Sequence, residues 1–238
     1  YDAVLDVCEE IVNLSSVMEE LELGPNGGLM YCMEYIERHL NHLIAIIKER
    51  TTQTSYLLID LPGQVELYTH CSCVQNIMAR LSKELDLRLC AVQLIDAHYC
   101  ADAAKFIAAA LLSTTTMIRL ELPCVNVLSK VDLIGTYGGE GGLAYNLDFF
   151  AECQDLDRLV EFLDADPTAV DPSSDPDWED IADDPEYRRA AERRRGSAFH
   201  RRRRRLHERM CEVVDDFSLL SFATLDISDA ESVDKANG

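Results

Sequence analysis

Apolar residues return at helical spacing over the first fifty positions. Val7, Ile11, Leu14, Met18 and Leu21 form one stripe, and Met30, Met33, Ile36, Leu40, Leu43 and Ile47 form another. The spacing predicts helices over 6–21 and 28–50, joined by a glycine-rich loop over 23–28. The period then changes. Tyr56-Leu57-Leu58-Ile59 is a short apolar run closed by Asp60 and a Pro62-Gly63 turn, which reads as a buried strand. Two longer runs, Leu89–Ile95 and Leu122–Leu128, are continuous rather than alternating, as in parallel strands covered on both faces. A fourth strand is predicted over 218–225. Helical patterns over 66–85, 103–120, 146–163 and 206–214 lie among them. Strand and helix alternation predicts an α/β fold, a parallel sheet with right-handed crossovers and helices on both faces.

This order fails between about 164 and 205. The stretch 164–186 is acidic with four prolines and no basic residue, and arginines then cluster up to Arg201-Arg202-Arg203-Arg204-Arg205. Such blocks offer little apolar surface to a core, so a disordered or loosely helical insertion is predicted within a single domain spanning 1–238. An arginine run can also serve as a nuclear-import or nucleic-acid contact. Over the whole chain, 22 basic residues face 43 acidic ones, a net charge of −21. That excludes general nucleic-acid binding by the surface. The nine cysteines show no zinc spacing and read as reduced and intracellular. No apolar run reaches the length of a membrane span.

The candidate chemistry lies at the strand ends. Asp60 at a C-terminal strand end can hold Mg²⁺, directly or through water. Gly63 can bring its backbone N–H against a phosphate because no side chain intervenes, and Gln64 can orient a water beside it. Ser129-Lys130-Val131-Asp132 directly follows an apolar strand. A carboxylate at Asp132 can accept from guanine N1–H and N2–H₂, and adenine lacks that donor pair. Gly24-Pro25-Asn26-Gly27-Gly28 is, by itself, either a turn or a helix stop followed by a new start.

Together, Gly24-Pro25-Asn26, Asp60-Leu61-Pro62-Gly63-Gln64 and Ser129-Lys130-Val131-Asp132 resemble the GPN-loop GTPases over nearly the whole chain. The resemblance implies a P-loop NTPase-like fold that binds and hydrolyses GTP with Mg²⁺. Asp60 would hold the metal's shell, Gly63 would sense the γ-phosphate, and Ser129, Lys130 and Asp132 would read guanine. Ala223 falls where guanine-nucleotide proteins place a loop whose backbone N–H meets guanine O6. The resemblance also implies a homodimer, or a heterodimer with a paralogue. Asn26 of the Gly24-Pro25-Asn26 motif would then act in the partner's site, beside a water positioned by Gln64. The implied role is assembly and nuclear import of RNA polymerase, with RNA polymerase subunits or assembly factors as partners. The implied place is the cytoplasm, with shuttling to the nucleus, without membrane attachment or direct nucleic-acid binding.

One departure stands out. The sequence from Tyr1 contains no Gly-x-x-x-x-Gly-Lys-(Ser/Thr) motif, so the first strand and phosphate loop of the family pattern are absent. Residues 1–238 alone are therefore expected neither to bind GTP tightly nor to hydrolyse it. Two other readings remain open: a nucleotide-dependent assembly scaffold with little turnover, and an interaction protein without nucleotide.

Overall fold

The computed structural model of the chain describes residues 3, 5–52, 56–137, 143–164, 198–229 and 232. They pack as two compact units, 1–91 with 115–123, and 92–114 with 124–238. Most of the acidic and arginine-rich insertion, 165–197, lies outside the described residues.

The first unit is helical. Its elements are α1 (Val7–Glu10), α2 (Leu14–Glu20), α3 (Pro25–Arg38), α4 (Leu40–Arg50), α5 (Glu66–Thr69) and α6 (Cys73–Leu85). Each long predicted helix is interrupted, and each break has a local cause. Asn13 turns its side chain back to accept from Ser16 N–H at 3.2 Å, so it caps α2 instead of continuing α1. His39 sits between α3 and α4, stacked on Tyr35 with ring centroids 4.1 Å apart and Nδ1 2.9 Å from the Tyr35 carbonyl oxygen. The helix predicted over 66–85 is broken between Thr69 and Cys73. The apolar faces predicted from spacing do meet. Met33, Ile36, Leu40, Leu43 and Ile44 pack with Leu67, Val74, Ile77, Met78 and Leu81 in one buried cluster.

Two expectations about this unit are corrected. Residues 56–60 form no strand, and Tyr56 and Leu58 are 91% and 81% exposed. A strand exists only as a member of a ladder, and among the described residues nothing pairs with this run. Cys71 and Cys73 are paired as a disulfide rather than reduced. A spacing of one residue, in the turn ahead of α6, brings their Cα atoms to 5.6 Å. Cys8, Cys32, Cys90, Cys100, Cys153 and Cys211 are thiols.

The second unit carries the sheet. Its strands are β1, reaching from Ala91 to Asp96, β2 (Cys124–Ser129) and β3 (Phe222–Leu225), in the order β1–β2–β3. β2 and β3 run parallel, with Asn126 opposite Phe222 and Ser129 opposite Leu225. Helix α7 (Ala103–Leu120) follows β1, and α8 (Ile134–Tyr137), α9 (Leu147–Glu152), a 3-10 stretch (Leu156–Asp164) and α10 (Ala198–Phe217) precede β3. The fold is thus mixed α/β with a three-stranded parallel sheet, as in P-loop NTPases. Arg201 to Arg205 are part of α10, the helical one of the two alternatives that the sequence left open for them. Arg203 donates to the Leu163 carbonyl at 3.0 Å, and Arg204 pairs with Glu208 at 3.1 Å.

β1 is less covered than its continuous apolar run predicts. Val92 and Leu94 are 63% and 64% exposed, while Ile95 is buried. Exposed and partly covered positions alternate along it, as on a strand with one open face. α7 has the length and apolar composition of a membrane span, counter to the sequence-based expectation, but its Phe106, Ile107 and Ala110 are buried inside the unit. Phe106 is fully buried, edge-on to Phe150 at 4.9 Å and to Phe222 of β3 at 6.1 Å. Replacing it leaves a cavity under the sheet that these rigid rings cannot refill. Phe106→Ala is expected to lower stability by about 3–5 kcal/mol in urea-induced unfolding; a loss below about 1 kcal/mol would contradict this placement of the core.

Candidate functional site

The Gly24-Pro25-Asn26 motif forms the start of a helix. Gly24 is the N-cap of α3 in extended conformation, Pro25 is the first helical residue, and Gly28 N–H donates to the Gly24 carbonyl at 2.8 Å. Proline suits this place because its missing N–H would be unpaired there in any residue. Gly28 is buried against α2, where a Cβ would stand 2.8 Å from Met18 Cγ and 3.0 Å from Leu14 Cδ1. Its lack of a side chain lets α2 lie directly on α3. Asn26 is thereby carried on the first turn of a helix whose body is rooted in the core, which is the new helix start that the sequence left open beside a turn.

Asn26 meets the Asp60-Leu61-Pro62-Gly63-Gln64 segment through two bonds. Gln64 Nε2 donates to Asn26 Oδ1 at 2.8 Å, and Asn26 Nδ2 donates to Glu66 Oε1 at 3.3 Å. Glu66 opens α5, and Tyr68 two residues on anchors that helix by donating from its hydroxyl to the Pro62 carbonyl at 2.8 Å. The Tyr68 hydroxyl pKa is raised, mainly by burial and then by the charge of Asp60. Gln64 Oε1 is buried without a partner among the described residues. Glu66 is part of the motif stretch but had no role assigned from the sequence. Its signal is the two-residue step from Gln64, which puts both side chains within reach of one asparagine.

Asp60 is exposed, on the unpaired segment before Pro62. Gly63 has open space around it, with no atom within 4 Å of a Cβ built on its backbone. Among the described residues no group of three or more His, Cys, Asp or Glu side chains could hold a metal. A single carboxylate fits Mg²⁺ all the same, because that ion keeps several waters and takes substrate phosphates as further ligands.

The second unit holds the other motif. Ser129 ends β2, and its hydroxyl donates to the Ile95 carbonyl of β1 at 3.1 Å. Lys130 follows in the left-handed region at φ 60°, a conformation that costs a non-glycine residue energy and turns the chain sharply out of the strand. Its Nζ binds Asp96 Oδ2 at 2.7 Å, and Asp96 also accepts from His98 N–H at 2.9 Å. These contacts hold the Asp96 carboxyl below the usual carboxylate range, the Lys130 hydrogen bond contributing most. Asp96 was missed as a partner of Lys130, although an acid closing the strand before the Lys-x-Asp strand is visible in the sequence. Asp132 is exposed within the short 3-10 turn Val131–Leu133 that follows. Ala223 lies inside β3 opposite Val127, and the turn after that strand begins only at Asp226. The loop placed at Ala223 from the sequence therefore starts beyond Leu225.

Residues 1–236 match a family model described as a conserved hypothetical ATP-binding protein. The chain is 42% identical over 237 residues to the GPN-loop GTPase QQT1 of Arabidopsis thaliana, covering 97% of this chain and 68% of that one. It is 45% identical over 245 residues to GPN-loop GTPase 2 of Danio rerio, covering 100% of this chain and 67% of that one. With GPN-loop GTPase 2 of Saccharomyces cerevisiae it shares 35% identity over 100% of this chain and 62% of the relative. The chain belongs to the GPN-loop GTPases. These relatives are named for GTP hydrolysis, while the family model names ATP. The names of these relatives support a GTP-binding GTPase.

The Asp96–Lys130 pair makes a pH prediction. A carboxyl with a lowered folded-state pKa contributes stability that is full above its unfolded value and fades as pH falls through the folded one. Lys130→Ala removes the largest cause of the depression. The Asp96 titration, followed by NMR, is expected to move upward toward the ordinary carboxylate range in Lys130→Ala. An unmoved titration would show that Lys130 does not hold Asp96.

Proposed function

We propose that this GPN-loop GTPase hydrolyses GTP as a dimer, with Asn26 of one subunit serving the site of the other. The observation that supports the reading is the bond between Asn26 and Gln64 within one chain, which sets the Gly-Pro-Asn motif beside the segment that carries Asp60 and Gly63. Its service of the other subunit's site rests on resemblance to the family. Asp60 would hold Mg²⁺, which would offset charge on the β- and γ-phosphates. Gly63 leaves room for a phosphate oxygen to reach its backbone N–H. Gln64 Oε1, which has no partner in the described structure, accepts a hydrogen from the attacking water. Asn26 brings a neutral amide to the γ-phosphate and water, offsetting less charge than an arginine would. On the base side, Asp132 accepts from guanine N1–H and N2–H₂, and the Lys130 stem, tethered through Nζ to Asp96, lies along the base. Resemblance to the family supports a role in RNA polymerase assembly and nuclear import, with the protein moving between cytoplasm and nucleus.

The experiment is complementation by mixing in the full-length protein. Asn26→Ala alone should slow hydrolysis by about 100-fold with GTP binding nearly intact, the scale of losing one oriented donor. Asp60→Ala should remove metal-dependent turnover. Random pairing of the two gives heterodimers in half of the dimers, each with one site that has both an intact Asp60 and the partner's Asn26. The mixture should then recover about a quarter of the unmutated rate. No recovery, with heterodimers shown to form, would mean that Asn26 serves its own subunit.

A further inference from the structure

We propose that Glu66 and Gln64 form an intrasubunit latch that holds Asn26 back until a partner subunit and nucleotide take it. This rests on the reading of Asn26 as a residue given to the partner's site. It starts from donor and acceptor arithmetic. A carboxylate only accepts hydrogen bonds, so Glu66 compels Asn26 to turn its Nδ2 toward it. Asn26 must then aim Oδ1 the other way, and Gln64 must meet that oxygen with Nε2, as it does at 2.8 Å. Both polar ends of the Asn26 amide are thus engaged within its own chain. Neither is aimed at a second molecule, and Gln64 Nε2 is engaged as well.

The same arithmetic shows why the latch can open. Turning Nε2 toward Asn26 leaves Gln64 Oε1 buried without a donor. An unsatisfied buried acceptor raises the energy of the latched arrangement, so a site that offers Oε1 a donor and the Asn26 amide new partners competes well. Opening needs little backbone change. The body of α3 is held by Met33 and Ile36 in the core and by Glu37, which accepts from Asn76 of α6 at 2.7 Å. Only the first turn carries Asn26, and next to it Gly24 has nothing within 4 Å of its Cβ position. Of the three latch side chains, Asn26 is exposed and Gln64 and Glu66 are half-buried, so a partner can reach the bonds it must replace. The Asn26–Glu66 bond, at 3.3 Å, is the longer of the two and the first to exchange.

The test has two arms on the full-length protein. In the first, side-chain amide NMR of the nucleotide-free protein should show contacts between the Gln64 Nε2 and Asn26 amide groups, with slowed exchange of the Asn26 Nδ2 protons. Both signatures should vanish when a non-hydrolysable GTP analogue and Mg²⁺ are added at dimer-forming concentration. In the second, the dimer dissociation constant is measured by sedimentation in the presence of the analogue. Glu66→Ala, which removes the obligatory acceptor, should tighten the dimer about fivefold, because a larger fraction of subunits is competent to pair. Glu66→Gln keeps an acceptor but no longer dictates the direction of the chain of bonds, and should fall between. Absence of the amide contact in the nucleotide-free protein, or its persistence in the analogue-bound dimer, would overturn the latch. So would a dimer constant unchanged or weakened in both Glu66 variants. The NMR arm stands whatever the mixing experiment gives, so failure of the latch and failure of action in the partner's site are told apart.

Discussion

The directionality of one hydrogen-bonded chain organises the helical unit. Glu66 can only accept, Asn26 relays, and Gln64 is left with one free acceptor. Everything around the chain keeps these three groups in reach. Pro25 and Gly24 start α3 at the right residue, Gly28 lets α2 press against its first turns, and the apolar face of α3 sits on α6. Tyr68 ties α5 back to Pro62, which fixes where Gln64 and Glu66 emerge. A motif that the sequence leaves open between a turn and a new helix start is therefore carried by a helix rooted in the core.

The sheet unit uses a different device to hold its motif. Two strand ends are clamped by side chains. Ser129 bonds the Ile95 carbonyl, and Lys130 bonds Asp96, so the ends of β1 and β2 are tied at two adjacent points. The left-handed backbone at Lys130 directs the chain into the short turn that presents Asp132. Strain at Lys130 is offset by its bond to Asp96, which is the usual way a fold keeps a sparsely populated backbone conformation at a working site.

Much of this was legible in the sequence because period and breakers agree with the packing. α7 has the predicted bounds, β2 falls within two residues of its own, and β3 ends where predicted but starts four residues later. The family motifs were legible too, since their residue types are chemically committed. What could not be read was anything set by a partner at a distance. The run 56–59 is apolar enough for a strand, but only pairing makes one. Val92 and Leu94 look like core residues and lie on an open face. The breaks at Asn13 and His39 come from side chains that cap or stack locally, which periodicity does not register. Glu66 and Asp96 escaped because their meaning lies in the residues they meet, Asn26 and Lys130.

The function proposed above places a guanine-specific GTPase site at Ser129–Asp132, served by Asn26 and Gln64. Its most direct test is competition binding of GTP, ATP and XTP to the full-length protein, unmutated and as Asp132→Asn, with Mg²⁺ present. A buried donor–acceptor mismatch rejects a wrong base by orders of magnitude. The unmutated protein should therefore prefer GTP over ATP by at least about 100-fold, and Asp132→Asn should lose GTP affinity while gaining XTP. Equal affinity of the unmutated protein for GTP and ATP would contradict the account.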